Sequence, residues 1–295
     1  MSRKIIVILG STASGKSVLA VKLAKKINGE IISADSRQVY KGLDIGTGKI
    51  TKKEMGGIPH YCLDIVSPKK IFTVADFKKR ADEAIEKIFS KNKTPIIVGG
   101  TGLYIQAIVD NIILLEVKPN WKLRKELEKK TTEEMFDLLK KLDPRRAKNI
   151  DPKNPRRLIR AIEIAKKLGK VPNLEAKPPS WKVFQIGIKL SDDALKENIS
   201  KRLIGRVKKG MVAEAKRLHS QGLSWRRMDE LGLEYRYMAK FLKGEMSKEE
   251  MIEKLKSEIW KYAKRQMTWF KRDKKIKWIN HPTFSSVLRS LPSIL

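Results

Sequence analysis

The residues best equipped for chemistry stand close to the N-terminus. Gly10-Ser11-Thr12-Ala13-Ser14-Gly15-Lys16-Ser17 fits the pattern G-x-x-x-x-G-K-[ST]. Its glycines let backbone N–H groups turn inward around a phosphate. The helix that should follow adds a partial positive charge at its N-terminus. Lys16 reaches the outer phosphate, and Ser17 can hold Mg²⁺. The expected ligand set for a diphosphate or triphosphate is Gly10, Thr12, Ala13, Ser14, Gly15, Lys16 and Ser17.

A hydrolase of this kind needs an acid at the end of a second core strand, to hold the metal and organise water. The obvious later strand, Pro95-Ile96-Ile97-Val98, instead runs into Gly99-Gly100-Thr101-Gly102. The carboxylate comes earlier, at Asp35, after Glu30-Ile31-Ile32-Ser33-Ala34. In an open parallel sheet both strand ends lie on the carboxyl edge, beside the phosphate loop. Asp35 and Thr101 are therefore expected to converge on whatever the loop holds. An acid placed there without the second-strand carboxylate points to a general base for another nucleophile. The plainer role for Asp35 is to cap the turn Asp35-Ser36-Arg37-Gln38.

These residues need elements to hold them. Lys4–Leu9 is KIIVIL, rich in β-branched side chains, and reads as a buried parallel strand. Val18–Ala24 has helix-forming composition. From Ile113 to Pro179 the pattern turns helical, with helices expected over Trp121–Lys130, Glu133–Leu142 and Pro155–Leu168. Asp143-Pro144 and Asp151-Pro152 break between them. Leu127, Met135, Leu138, Leu139, Leu158 and Ile162 should pack those helices together. Pro178-Pro179 returns the chain to a strand at Val183–Ile188, and one long helix is expected over Asp193–Ser220. The reading is an α/β fold: a P-loop NTPase-like parallel sheet with helices on both faces, built from residues 1–112 and 180–295, with an all-helical insertion over 113–179.

Charge is the other strong signal. The 295 residues carry 65 Lys and Arg against 33 Asp and Glu, a formal net charge of +32. Nucleic acid is the expected partner for such a chain, with an anionic membrane surface second. The excess is uneven. Residues 113–179 hold 19 Lys and Arg against 10 Asp and Glu, and residues 256–277 hold 9 against 2. In the second block Trp260, Tyr262, Trp269 and Phe270 are interleaved with the cations, with Trp278 just beyond. That arrangement suits stacking on unpaired bases. A terminal helix whose tryptophans pack on the core would look the same, and Trp269 fits that reading better.

Several classes are excluded. A lone Cys62 forms no intramolecular disulfide or cysteine-based zinc site. It suits a reducing compartment, so a cytoplasmic location is expected. His60, His219 and His281 are scattered, and no metal constellation is visible; His60 is read as structural. Ile5–Leu9 is too short for a signal core or a membrane span, so no membrane association is expected.

Further blocks carry a resemblance. Ile31–Lys49 (IISADSRQVYKGLDIGTGK), Ile58–Ile65 (IPHYCLDI), Val98–Ile105 (VGGTGLYI), Asn154–Ile164 (NPRRLIRAIEI) and Ala263–Phe270 (AKRQMTWF) follow in order along nearly the whole chain. In these the sequence resembles the tRNA dimethylallyltransferases, also called tRNA isopentenyltransferases. The resemblance implies transfer of a dimethylallyl group from dimethylallyl diphosphate to the exocyclic N6 amine of an adenosine. That adenosine lies 3′ of the anticodon, at position 37, in tRNAs reading codons that begin with U. It implies that the phosphate loop binds the prenyl diphosphate rather than ATP. Asp35 then matches a general base, Thr101 a residue near the reacting centre, and Arg202 an arginine of the diphosphate site. The tRNA anticodon stem-loop would be contacted by Asp35, Ser36, Arg37, Gln38, Thr101, Arg124, Arg156, Arg157, Arg160, Tyr235 and Arg236. Lys264 and Arg265, in the second basic block, are read as RNA or phosphate contacts. Arg206, four residues from Arg202, reads as a solvated face. A monomer with no obligate protein partner is implied.

The sequence departs from that pattern in places. Ser11 stands where proline is usual, and Asn198 where the first arginine of R-I-x-x-R is usual. Glu234 replaces a glycine before Tyr235-Arg236, and Ile259-Trp260-Lys261 replaces T-R-Q. Three other readings remain: a small-molecule P-loop kinase, a nucleic-acid motor, and an adenylate isopentenyltransferase acting on a free nucleotide. The first two want the missing acid. The third has no use for the net charge or the basic insertion.

Overall fold

The structure is a computed structural model describing residues 3–113, 117–172, 179–280 and 282–291. His281 and Pro178 lie outside the described residues. The chain forms two compact units, Met1–Asn111 with Pro178–Leu295, and Ile112–Lys177.

The first unit is built on a six-stranded sheet: β1 Lys4–Gly10, β2 Gly29–Ala34, β3 His60–Tyr61, β4 Thr94–Gly99, β5 Lys182–Lys189 and β6 Lys277–Asn280. The order is β3-β2-β4-β1-β5-β6, and every pair is parallel. β1 shows why KIIVIL forms a central strand. Ile5, Val7 and Leu9 enter the apolar layer on one face, and Ile6 and Ile8 that on the other. All five are fully buried, so a continuous apolar run replaces the alternation of a half-exposed strand.

The helix Lys16–Lys26 covers one face through Leu19, Ala20, Leu23 and Ala24. On the other face lie Val74–Phe89, Gly102–Val109 and the 23-residue helix Lys248–Phe270. The last starts from a reciprocal cap between Ser247 and Glu250. It buries Met251, Leu255, Ile259, Ala263, Gln266 and Phe270 along one stripe. The helix expected over Asp193–Ser220 is two: Asp192–Lys208 and Met211–Ser220. Gly210, at φ 95°, breaks it in a left-handed conformation that costs glycine little.

The register places the site. β2 and β4 are neighbours with Ala34 opposite Gly99, so the chain leaves both strands at the same edge. A Cβ on Gly99 would collide with the Ala34 carbonyl, and glycine is what lets the two strand ends approach. The Thr101 amide then donates to Ala34 O at 3.2 Å.

The second unit packs Trp121–Leu127, Thr132–Leu142 and Pro155–Leu168 around Leu127, Met135, Leu139, Leu158 and Ile162, with Leu138 at the margin. Asp143 does more than end a helix. Its side chain accepts from the Arg146 amide and caps the single turn Pro144–Ala147.

Candidate active site

The phosphate loop joins β1 to the helix Lys16–Lys26. Gly15 at φ 82° makes the left-handed step that opens the helix. A cavity of about 70 Å³ lies against it. Of the expected phosphate ligands, Thr12, Lys16 and Ser17 line this cavity. Gly10, Ala13, Ser14 and Gly15 shape the turn around it. Asp35, Gln38 and Arg202 line the same cavity. Residues distant in sequence therefore meet beside the loop: Asp35 and Gln38 follow the end of β2, and Arg202 comes from the helix Asp192–Lys208.

Lys16 donates through Nζ to Ser11 O at 2.9 Å. Its enclosure and the neighbouring Arg202 charge bring its pKa down from 10.5 to about 8, against the opposing pull of Asp35. Arg202 donates through Nη2 to Gly48 O at 2.8 Å. Burial and then Arg206 lower its pKa, while Glu234, Asp35 and Glu54 oppose the shift. Two cations held this close with little water form a site for a polyanion.

Asp35 plays the plainer role and leaves room for the other. Its Oδ1 accepts from the amides of Arg37 at 2.8 Å and Gln38 at 3.3 Å. Among the described residues Oδ2 has no hydrogen-bond donor, so one carboxylate oxygen holds the turn and the second is available. Thr101 does not line the cavity. Its Oγ1 accepts from the Ser36 amide at 3.0 Å and ties the end of β4 to the Asp35 turn. Arg37 donates to Ser36 O, and Gln38 Nε2 reaches Thr47 O at 3.4 Å.

The residues expected on tRNA divide. Arg156 and Arg157 are exposed at the start of their helix. Arg265 is exposed too. Lys264 is exposed but pairs with Asp192 at 2.7 Å and lies 5.0 Å from the Trp260 ring centre. Arg236 pairs with Asp229 at 2.7 Å. Arg124 holds the buried Glu163 with two bonds of 2.7 Å, and Arg160 adds a third at 3.3 Å. These two arginines neutralise a carboxylate inside the insertion. Tyr235 requires correction. It is 1% exposed, and its hydroxyl donates to Glu214 at 2.7 Å, so its side chain belongs to the core rather than to an RNA surface. Arg206 also departs from expectation. It is buried, pairs with Glu234 at 3.0 Å and donates to Gly46 O. Glu234 is thus the partner of a buried arginine. Asn198 reaches Ala13 O in the phosphate loop at 3.4 Å.

Gln266 escaped the sequence reading. It is 7% exposed and lines the cavity. Its Oε1 accepts from the Thr12 amide at 2.8 Å, and its Nε2 donates to Gly100 O at 2.8 Å. One side chain therefore fixes the phosphate loop to the end of β4. The signal was available: Gln266 is the polar member of an otherwise apolar stripe. Tyr262 and His60 also line the cavity. Burial lowers the His60 pKa, against a contact from its Nδ1 to Ile58 O at 2.8 Å. Trp269, partly buried, packs against the core and over Gly102, which has no room for a Cβ.

Comparison with known proteins adds an independent observation. A family model described as IPP transferase matches residues 38–273. The chain belongs to the IPP transferase family. The matched segment begins after the phosphate loop and Asp35, so family membership does not rest on that motif. The chain is 42% identical to the tRNA dimethylallyltransferase of Acetivibrio thermocellus, over 96% of this chain and 93% of the relative. It is 43% identical to that of Thermoanaerobacter pseudethanolicus, over 94% and 92%. Among solved structures it resembles a tRNA isopentenylpyrophosphate transferase from Bacillus halodurans, with a TM-score of 0.73 and 36% identity over 98% of this chain and 94% of the other. It also resembles a eukaryotic dimethylallyltransferase acting on tRNA, with a TM-score of 0.83 and 28% identity over 96% and 75%.

Proposed function

We propose that this family member is a tRNA dimethylallyltransferase. It transfers the dimethylallyl group of dimethylallyl diphosphate to the N6 amine of the adenosine 3′ of the anticodon, at position 37, in tRNAs reading codons that begin with U. The observation that carries the reading is one cavity shared by Lys16, Arg202 and Asp35. It combines two cations for a leaving diphosphate with a carboxylate for a nucleophile's proton.

An adenine amine is a weak nucleophile because its lone pair is delocalised into the ring. The allylic donor compensates: as its C–O bond breaks, positive charge spreads over the allyl system. Lys16, Arg202 and the loop amides stand where negative charge grows on the diphosphate. The new C–N bond makes the nitrogen acidic, and Asp35 Oδ2 takes its proton, a contribution of roughly 10²–10⁴ in rate. Diphosphate leaves with the electron pair of the broken C–O bond. The adenine must leave its stack to enter, at a cost of a few kcal/mol.

Mg²⁺ fits this site as a companion of the substrate. Ser17 lines the cavity beside Lys16, and no group of three His, Cys, Asp or Glu gathers for a metal among the described residues. The ion's remaining ligands would be phosphate oxygens and water, as suits magnesium. When bound, it supplies positive charge to the diphosphate. A cytoplasmic location fits a tRNA substrate. No described helix is long and apolar enough to cross a membrane. Burial pushes the lone Cys62 thiol up to about 12, which keeps it unreactive.

The test offers labelled dimethylallyl diphosphate and Mg²⁺ with unmodified tRNA, AMP or ATP. Label should enter tRNA. Label in AMP alone would identify an adenylate isopentenyltransferase, and ATP hydrolysis without transfer a kinase or motor.

A further inference from the structure

Arg202 is aimed by a loop, and the loop has its own anchor. Residues 44–48 follow the Asp35 turn, and Thr47 lines the cavity. Gly48 O is the acceptor that orients Arg202. The anchor is Glu214, on the helix Met211–Ser220 and 5% exposed. Its Oε2 accepts from the amides of Asp44 at 2.9 Å and Ile45 at 2.7 Å. Its Oε1 accepts from the Gly46 amide at 2.9 Å and from the Tyr235 hydroxyl at 2.7 Å. Three consecutive amides close on one carboxylate, the kind of concavity that backbone N–H groups form around an anion. No lysine or arginine hydrogen-bonds the carboxylate among the described residues. Gly46 permits this approach, because a Cβ there would lie 2.7 Å from the Tyr235 hydroxyl oxygen. The carbonyl of the same residue is held too: Arg206 donates to Gly46 O.

We propose that Glu214 is a positioning residue for the transfer reaction: it folds residues 44–48 so that Gly48 O holds Arg202 in the diphosphate site. The proposal rests on the assignment of Arg202 to that site. A glutamine at 214 keeps the shape but cannot serve all four donors. Its NH₂ would face either two backbone amides or an amide and the tyrosine hydroxyl, leaving buried donors unmatched. A loop that reseats itself would carry Gly48 O away from Arg202. Tyr235→Phe is a gentler perturbation, removing one donor and sparing the three amides.

The experiment measures inorganic diphosphate binding by titration calorimetry on the full chain, for the wild type, Glu214→Gln, Arg202→Ala and the double variant. Kinetics with dimethylallyl diphosphate and tRNA accompany it. Glu214→Gln should weaken diphosphate roughly tenfold and raise the donor KM, with little change in tRNA affinity. In the Arg202→Ala background the same substitution should add little, because the group it positions is gone. Additive losses, or a loss of thermal stability with unchanged diphosphate affinity, would overturn the proposal. Should Glu214→Gln not fold, Tyr235→Phe takes its place, with a smaller loss and the same dependence on Arg202. An Arg202→Ala protein that binds diphosphate normally would instead refute the assignment of Arg202, and the role of Glu214 with it.

Discussion

Thr101 Oγ1 accepts a hydrogen bond from the Ser36 amide at 3.0 Å, joining the end of β4 to the residue that follows Asp35. The Asp35 turn is thus held from the neighbouring strand as well as by Asp35's own Oδ1. Thr101→Val preserves shape and removes the acceptor. It should cost about 1 kcal/mol of stability and lower the single-turnover rate, whereas Thr101→Ser should keep both close to wild type. Equal rates for the valine and serine variants would remove Thr101 from the account.

Asp35 combines two duties that substitution can separate. Asp35→Asn retains an oxygen for the Arg37 and Gln38 amides and loses the base. Single-turnover transfer should fall by roughly 10²–10⁴, with tRNA binding and thermal stability maintained. Asp35→Ala should lose the same rate and also about 1 kcal/mol of stability with the turn. Wild-type turnover in the asparagine variant would leave Asp35 as a turn residue only.

The site's cations predict a pH profile. Lys16 titrates near pH 8 in the free protein, lowered by burial and by Arg202. In the proposed reaction its charged form binds the donor, and that form is lost as pH rises through this value. kcat/KM for dimethylallyl diphosphate should therefore fall by about tenfold per pH unit above pH 8. A bound diphosphate favours the protonated lysine, so kcat at saturating donor should hold to higher pH. A kcat/KM that stays flat to pH 10 would contradict the assignment.

What could be read from the chain alone depended on range. KIIVIL announces a strand because β-branched residues buried on both faces leave a continuous pattern, and the G-x-x-x-x-G-K-[ST] loop is local. Asp35 and Thr101 could be brought together because parallel strand ends share an edge. Pairings across long separations left no periodic mark. Arg124 reads as a free cation until Glu163 is found, 39 positions away. Arg206 reads as solvated until Gly46 and Glu234 close around it. Tyr235 sits beside an arginine in a motif and reads as surface, yet its partner Glu214 is on another helix. Gln266 was the legible one missed: a glutamine at a buried stripe position needs internal hydrogen-bond partners, and here they are the phosphate loop and the end of β4.

The insertion offers a contrast between two arginines of similar sequence context. Arg157 is exposed, and its side chain makes no hydrogen bond among the described residues. Arg157→Ala should weaken tRNA binding, reduce the slope of log affinity against log salt by about 1, and leave the melting temperature unchanged. Arg124 is the bidentate partner of a carboxylate whose side chain is 1% exposed, and Arg124→Ala strips that charge of its main counterion. Breaking a buried pair from one side costs about 3–5 kcal/mol. The retained Arg160 contact and the Asn120 amide, which donates to Glu163 at 2.8 Å, place the expected loss near the lower end. Combining Arg124→Met with Glu163→Leu should recover much of that stability, since no unpaired charge remains. Thermal unfolding and salt-dependent tRNA titration of the three variants decide the matter. An Arg124→Ala protein that melts like the wild type but binds tRNA with a shallower salt slope would make Arg124 an RNA contact, as the sequence first suggested.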